Sequence, residues 1–263
     1  MPPRILTLFA AIFAVSIELA AQSRTVGPVT VEVTESPSAQ LALGNRLIQD
    51  VWRAKTEAER DRAIAVADIH LAMIPRRWPD AKNAIVTAAI RRADILLNFM
   101  RPSNALEALD TARNAAAGTD AEPALYRRIG EALQSLNRLD EAEAAYRKAE
   151  AHRAFGALPI GEKVLLLEAS AKLYSRSGRP AEAVAHFRRL AAMEDAEPSS
   201  RAWWTILSAR ELTRTKDRGA VAAELAAAER LLHTSEKRPK ADARRINGMR
   251  AAIATMKRVH HLD

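Results

Sequence analysis

An internal repeat narrows the possible folds of this chain more than any other feature. Tyr126, Ile129, Gly130, Leu133, Asn137, Ala142, Tyr146 and Ala149 are matched in size by Leu167, Ser170, Ala171, Tyr174, Gly178, Ala183, Phe187 and Leu190, every pair 41 positions apart (126 to 167, 149 to 190). In the first copy Tyr126, Ile129, Gly130 and Leu133 fall at i, i+3, i+4 and i+7, which is one face of a helix, and Ala142, Tyr146 and Ala149 share a face of a second. One helical hairpin cannot bury its own apolar face, whereas stacked copies can.

The local signals agree. Asn137 is suited to the left-handed conformation that closes the first helix. Asp140 is expected to cap the second helix, with Glu143 completing a capping box. Gly130 and Ala142 are small where two helices must approach, and Tyr146 is large enough to reach back into the first. The intervening Ala154 to Gly161, with Gly156, Pro159 and Gly161, breaks the helical pattern.

Further pairs flank these copies. Ala105 to Ala112 repeats the second-helix signature 37 positions before Ala142, with Asp80 to Phe99 as its first helix, although Arg92 stands where Ile129 and Ser170 stand later. Leu43, Leu47, Ile48 and Val51 form one apolar face and Ile64, Ala67, Leu71 and Ile74 the next, with Thr56 and Glu59 as a capping box between them. Downstream, Trp203, Trp204 and Leu207 precede Val221, Leu225, Ala228 and Leu232, a pair that no single offset aligns with the others. Ile246, Met249, Ile253 and Met256 end the chain as a one-sided stripe, with Arg244, Arg245, Lys257 and Arg258 turned away, as the last face of a repeat array requires.

This pattern resembles the tetratricopeptide repeat family, whose unit sets a bulky and then a small residue on its first helix and an Ala-aromatic-Ala series on its second. The resemblance is carried by residues 123–156 and 164–197. It implies an all-α chain folded as a right-handed α-solenoid of antiparallel helix pairs over 41–261, closed by a C-terminal capping helix. It also implies a concave groove lined by first-helix residues: Arg127, Glu131 and Gln134 in one repeat, and Glu168, Lys172 and Ser175 in the next. That floor is mixed in charge and lacks the Lys and Asn arrangement by which some relatives hold a terminal carboxylate, so an extended segment of alternating charge suits it better.

The N-terminus carries a second signal. Pro2-Pro3-Arg4 is a short basic start, Ile5 to Ile17 an almost unbroken apolar run, and Ala20 to Ser23 supplies small residues for cleavage after Ala21 or Ser23. Residues 1–23 therefore read as a signal peptide and the chain as exported, periplasmic or secreted. The competing reading is an uncleaved inner-membrane anchor. Residues 24–40 read as a linker, with Val29, Val31 and Val33 alternating as in a strand that has no second strand to pair with. The chain has no cysteine, which excludes both a disulfide staple and a lipid-modified cysteine.

Composition bounds the chemistry. The net charge is +8, and nearly all of it lies in residues 201–263, where 14 Lys and Arg face 7 Asp and Glu. Arg244, Arg245, Lys257 and Arg258 are thus a candidate contact for an anionic membrane or envelope surface, while nucleic acid is not expected in an exported chain without interleaved exposed aromatics. Neither a metal nor an organic cofactor is expected. His70, His152, His186, His233, His260 and His261 include no i, i+4 pair, and His186 reads as solvated. No Gly-rich phosphate loop or nucleophile elbow appears. The expected function is a non-enzymatic scaffold that binds a protein or peptide segment. The alternative is a membrane- or cell-wall-associated enzyme or carrier on the same scaffold, with Glu131 or Glu168 as its catalytic carboxylate.

Overall fold

The structure, a computed structural model of the chain, describes residues 32–238 and 242–262, and these are all-helical with no strand among them. Helix formation follows from the Ala-, Leu-, Arg- and Glu-rich sequence and from the spacing of apolar residues. The expected signal peptide and the valines at 29 and 31 lie outside the described residues. No helix among the described residues is long and apolar enough to cross a membrane. The chain divides into two units, residues 1–128 and 129–263.

In the first unit, α1 (Pro37–Arg53) packs on α2 (Glu57–Arg77), α2 on α3 (Lys82–Asn98), and α3 on α4 (Pro102–Asp110) and the short α5 (Arg113–Ala116). The Thr56 and Glu59 capping box forms as expected, each side chain holding the other's backbone N–H. Leu43, Val51, Ile64, Ala67, Leu71 and Ile74 make the α1–α2 core. Helix begins at Pro37, ahead of the expected domain start at residue 41. Gln40, which the linker was expected to contain, is fully buried. Its side-chain amide donates to the carbonyls of Glu32 and His70 and accepts from the Thr34 N–H at 2.9 Å, while His70 Nε2 accepts from the Glu32 N–H at 3.1 Å. The strand-like end of the linker is thus held by side chains of α1 and α2, not by another strand.

Helix α6 (Glu122–Ser135) carries the unit boundary. In the second unit it is followed by α7 (Leu139–Ala151), a 3-10 turn at Phe155–Ala157, α8 (Ile160–Arg176), α9 (Pro180–Ala191), α10 (Pro198–Leu212), α11 (Arg218–Glu236) and α12 (Ala243–His260). The irregular piece between the two best repeats falls at 152–159 and holds Gly156 and Pro159 as expected, whereas Gly161, also expected to break the helix, lies inside the first turn of α8. Gly130 lies against Tyr146, and a Cβ there would sit 2.6 Å from the ring Cδ1. Asn137 has φ 59 and Gly178 φ 72, both left-handed. The Asp140 expectation is corrected: α7 starts at Leu139, its cap is Arg138 without a side-chain bond, and Asp140 lies inside the first turn. An Arg138–Glu141 ion pair at 2.6 Å occupies that end instead.

The pair that no offset aligned is also regular in space. Helices α8 and α10 start 38 residues apart (160 to 198), and so do α9 and α11 (180 to 218). Alternate helices are tied to each other at a nearly constant separation. Bonds join Arg179 to Glu143, His186 to Glu150, Trp204 to Glu168, Ser175 to Glu211 and Arg188 to Glu224, each pair 36 residues apart. Ile246, Met249 and Ile253 of α12 complete the core built by α10 and α11.

Candidate functional site

The six expected groove residues are mostly committed to packing. Arg127 is buried at 3 % exposure. Gln134 accepts a 3.0 Å hydrogen bond from the Tyr146 hydroxyl, within the α6–α7 hairpin. Glu168 accepts from Trp204 Nε1 at 2.7 Å, and the Ser175 hydroxyl donates to Glu211 at 2.8 Å, so both tie α8 to α10. Glu131 is half-buried, and Lys172 alone is largely open, with its ammonium 3.4 Å from Glu168. The expectation that first-helix polar residues stand clear of packing is corrected for Arg127, while Gln134, Glu168 and Ser175 are half-buried and bonded to neighbouring helices.

These carboxylates sit in polar seams. Glu211 is buried and takes Arg214 at 2.9 Å and Arg210 at 3.3 Å. Glu143 takes Arg179 at 2.6 Å and the Tyr174 hydroxyl at 3.3 Å. Glu150 accepts from the Ser170 hydroxyl at 2.9 Å and from Arg189 at 2.6 Å, with His186 Nε2 3.2 Å away. Burial pushes the Glu150 carboxyl up, but the hydrogen bonds and charges of His186 and Arg189 outweigh it and hold the group down at about 2. His186 is therefore part of a seam and not solvated: its side chain is 14 % exposed and its ring lies 5.1 Å from that of Tyr174.

The open surface lies upstream, within the first unit. Asn45, Ile48, Gln49 and Trp52 of α1 follow one another at i, i+3, i+4 and i+7, and Arg91, Asp94, Ile95 and Asn98 of α3 do the same. Together with Arg128 they enclose a cleft of about 410 Å³. Asp94 lies 2.7 Å from Arg128 and 4.0 Å from Arg91, so two guanidiniums share one carboxylate at its floor. Asn98 donates to the Asp94 carbonyl at 2.8 Å. The carboxamides of Asn45 and Gln49 are exposed and bond to none of the described residues. Trp52 stands at the rim, 55 % exposed, its ring 5.4 Å from that of Phe99.

Reading the apolar stripe of α1 reached only Ile48 of this site, because the stripe follows the face that packs on α2. The available signal was the second face of the same helix, on which a large aromatic accompanies two carboxamides. One position separated Arg127, expected in the groove, from Arg128, which lines the cleft.

The C-terminal basic residues divide. Lys257 pairs with Glu229 at 2.8 Å, and Arg245 reaches the Ser200 hydroxyl at 3.4 Å. Arg244 and Arg258 are exposed and pair with no acid among the described residues. Among the described residues no three His, Asp or Glu side chains come together as a metal ligand set. Compared with known proteins, the chain matches no family model and no curated protein sequence.

Proposed function

We propose that the chain is an exported, non-enzymatic scaffold of tetratricopeptide type, whose helix pairs are antiparallel hairpins and which holds a protein or peptide segment. The cleft of the first unit carries this reading. It joins carboxamides that bond to none of the described residues, a rim tryptophan and two arginines beside one aspartate, a combination suited to the amides and side chains of an extended segment. The alternating-helix bonds at 36-residue separation support the repeat reading, since equivalent helices of successive hairpins stack in such arrays. In the second unit Lys172, with Leu165 on the same helix, is the remaining open contact. Arg244 and Arg258 are the groups open to an anionic envelope surface.

The test is recovery of the tagged chain from fractionated cells, with sequencing of its N-terminus and cross-linking mass spectrometry of what it holds. A mature start near Gln22 and a reproducible partner cross-linked to α1 and α3 are expected. A full-length chain in the membrane, with no cross-link to those helices, would overturn the reading.

A further inference from the structure

Resting on that reading, we propose that the segment held in the first unit's cleft is acidic and carries a bulky apolar side chain, its carboxylate meeting Arg91 and its apolar group lying on Trp52. Asp94 is the one carboxylate in the lining, against the two arginines Arg91 and Arg128. Arg128 is the closer partner of Asp94, and Arg91, 4.0 Å from it, has a side chain 52 % exposed. A second carboxylate entering the cleft gives Arg91 a charge-assisted partner.

Trp52 supplies the other half. It occupies the last turn of α1, braced from behind by Phe99, over which Arg60 lies at 5.5 Å. The indole is 55 % exposed on the side away from Phe99 and is open there to an aromatic or branched side chain. Asn45 and Gln49, between Trp52 and the far end of the cleft, each offer a donor and an acceptor, matching the peptide unit. A nucleic-acid strand, with a phosphate at every step, needs a track of cations that a floor of two arginines and one aspartate does not provide.

The experiment uses the full chain and three fluorescein-labelled synthetic peptides read by anisotropy: one alternating aspartate with phenylalanine, one with lysine for aspartate, one with alanine for phenylalanine. The first is expected to bind at least about tenfold more tightly than either other, a difference of ~1.4 kcal/mol. Trp52→Ala should abolish the advantage of phenylalanine over alanine, and Arg91→Glu should reverse the preference for aspartate over lysine. Both side chains are exposed, and thermal melts of the variants check that folding is unaffected.

Equal binding of the acidic and basic peptides, no binding of any, or an unchanged preference in Arg91→Glu would overturn the proposal. Displacement of the acidic peptide by a single-stranded oligonucleotide would also overturn it. Hydrogen exchange separates the two levels of failure. If the lysine peptide binds and protects α1 and α3, the cleft reading stands and the acidic partner falls. If the acidic peptide binds and leaves those helices unprotected, both fall.

Discussion

Met100 closes α3 in the left-handed conformation, φ 56, with the Arg101 N–H bonded to the Leu96 carbonyl at 2.7 Å. The same closure uses Asn137 after α6 and Gly178 after α8, so three helices end alike with residues of very different tolerance for positive φ. Met100 is 83 % exposed and contributes little packing. Met100→Gly is therefore expected to raise stability by roughly 0.5 to 1 kcal/mol, read as a higher urea midpoint at unchanged slope. Arg127 and Lys172 give the opposite contrast. Arg127→Glu places a carboxylate where a buried guanidinium stood, and should cost about 3 kcal/mol or more. Lys172→Glu changes a largely open side chain and should leave the melting temperature nearly unchanged. Sequence reasoning had put both in the groove, because helical spacing assigns a residue to a face and does not say how deeply the next helix covers it.

At the scale of elements, the helices and their closest contacts were legible and the polar seams between alternate helices were not. Apolar spacing, the Thr56 box, the left-handed Asn137 and the close Gly130–Tyr146 contact each follow from a few neighbouring residues. Gly130→Leu should drive a side chain into the Tyr146 ring and destabilise the α6–α7 hairpin by about 1 to 3 kcal/mol, measured by chemical denaturation. The seams depend on partners 36 residues away, which is why Glu143 is bound by Arg179 instead of forming the expected box with Asp140, and why His186 meets Glu150. The Glu150 seam predicts a pH dependence. With its folded carboxyl held at about 2, Glu150 contributes stability that is complete above the ordinary carboxylate range and is lost as pH falls towards 2. Thermal melts of the wild type and Glu150→Gln should differ most near neutral pH and converge in acid.

For the whole molecule, the all-helical class followed from repetition and composition, since a chain with 48 % hydrophobic residues, 9 glycines and an i, i+3, i+4, i+7 pattern has few other ways to bury its core. The proposed interaction surface did not follow in the same way. Asn45, Gln49, Trp52 and Arg91 carry no shared motif and become a site only when α1 and α3 pack side by side. The basic excess after residue 201 was legible as a number, but which of its cations are paired was not: Lys257, Arg250 and Arg238 meet Glu229, Glu236 and Glu197, whereas Arg244 and Arg258 pair with no acid among the described residues.

The central claim is that a partner segment occupies the cleft of the first unit. Its most direct test is site-specific photo-cross-linking in cells, with a photoreactive side chain at Gln49 in one variant and at exposed Arg62 of α2 in another. A partner captured from position 49, lost on Trp52→Ala and not captured from position 62, is the result expected. Equal capture from both positions, or capture from 62 alone, would contradict the account.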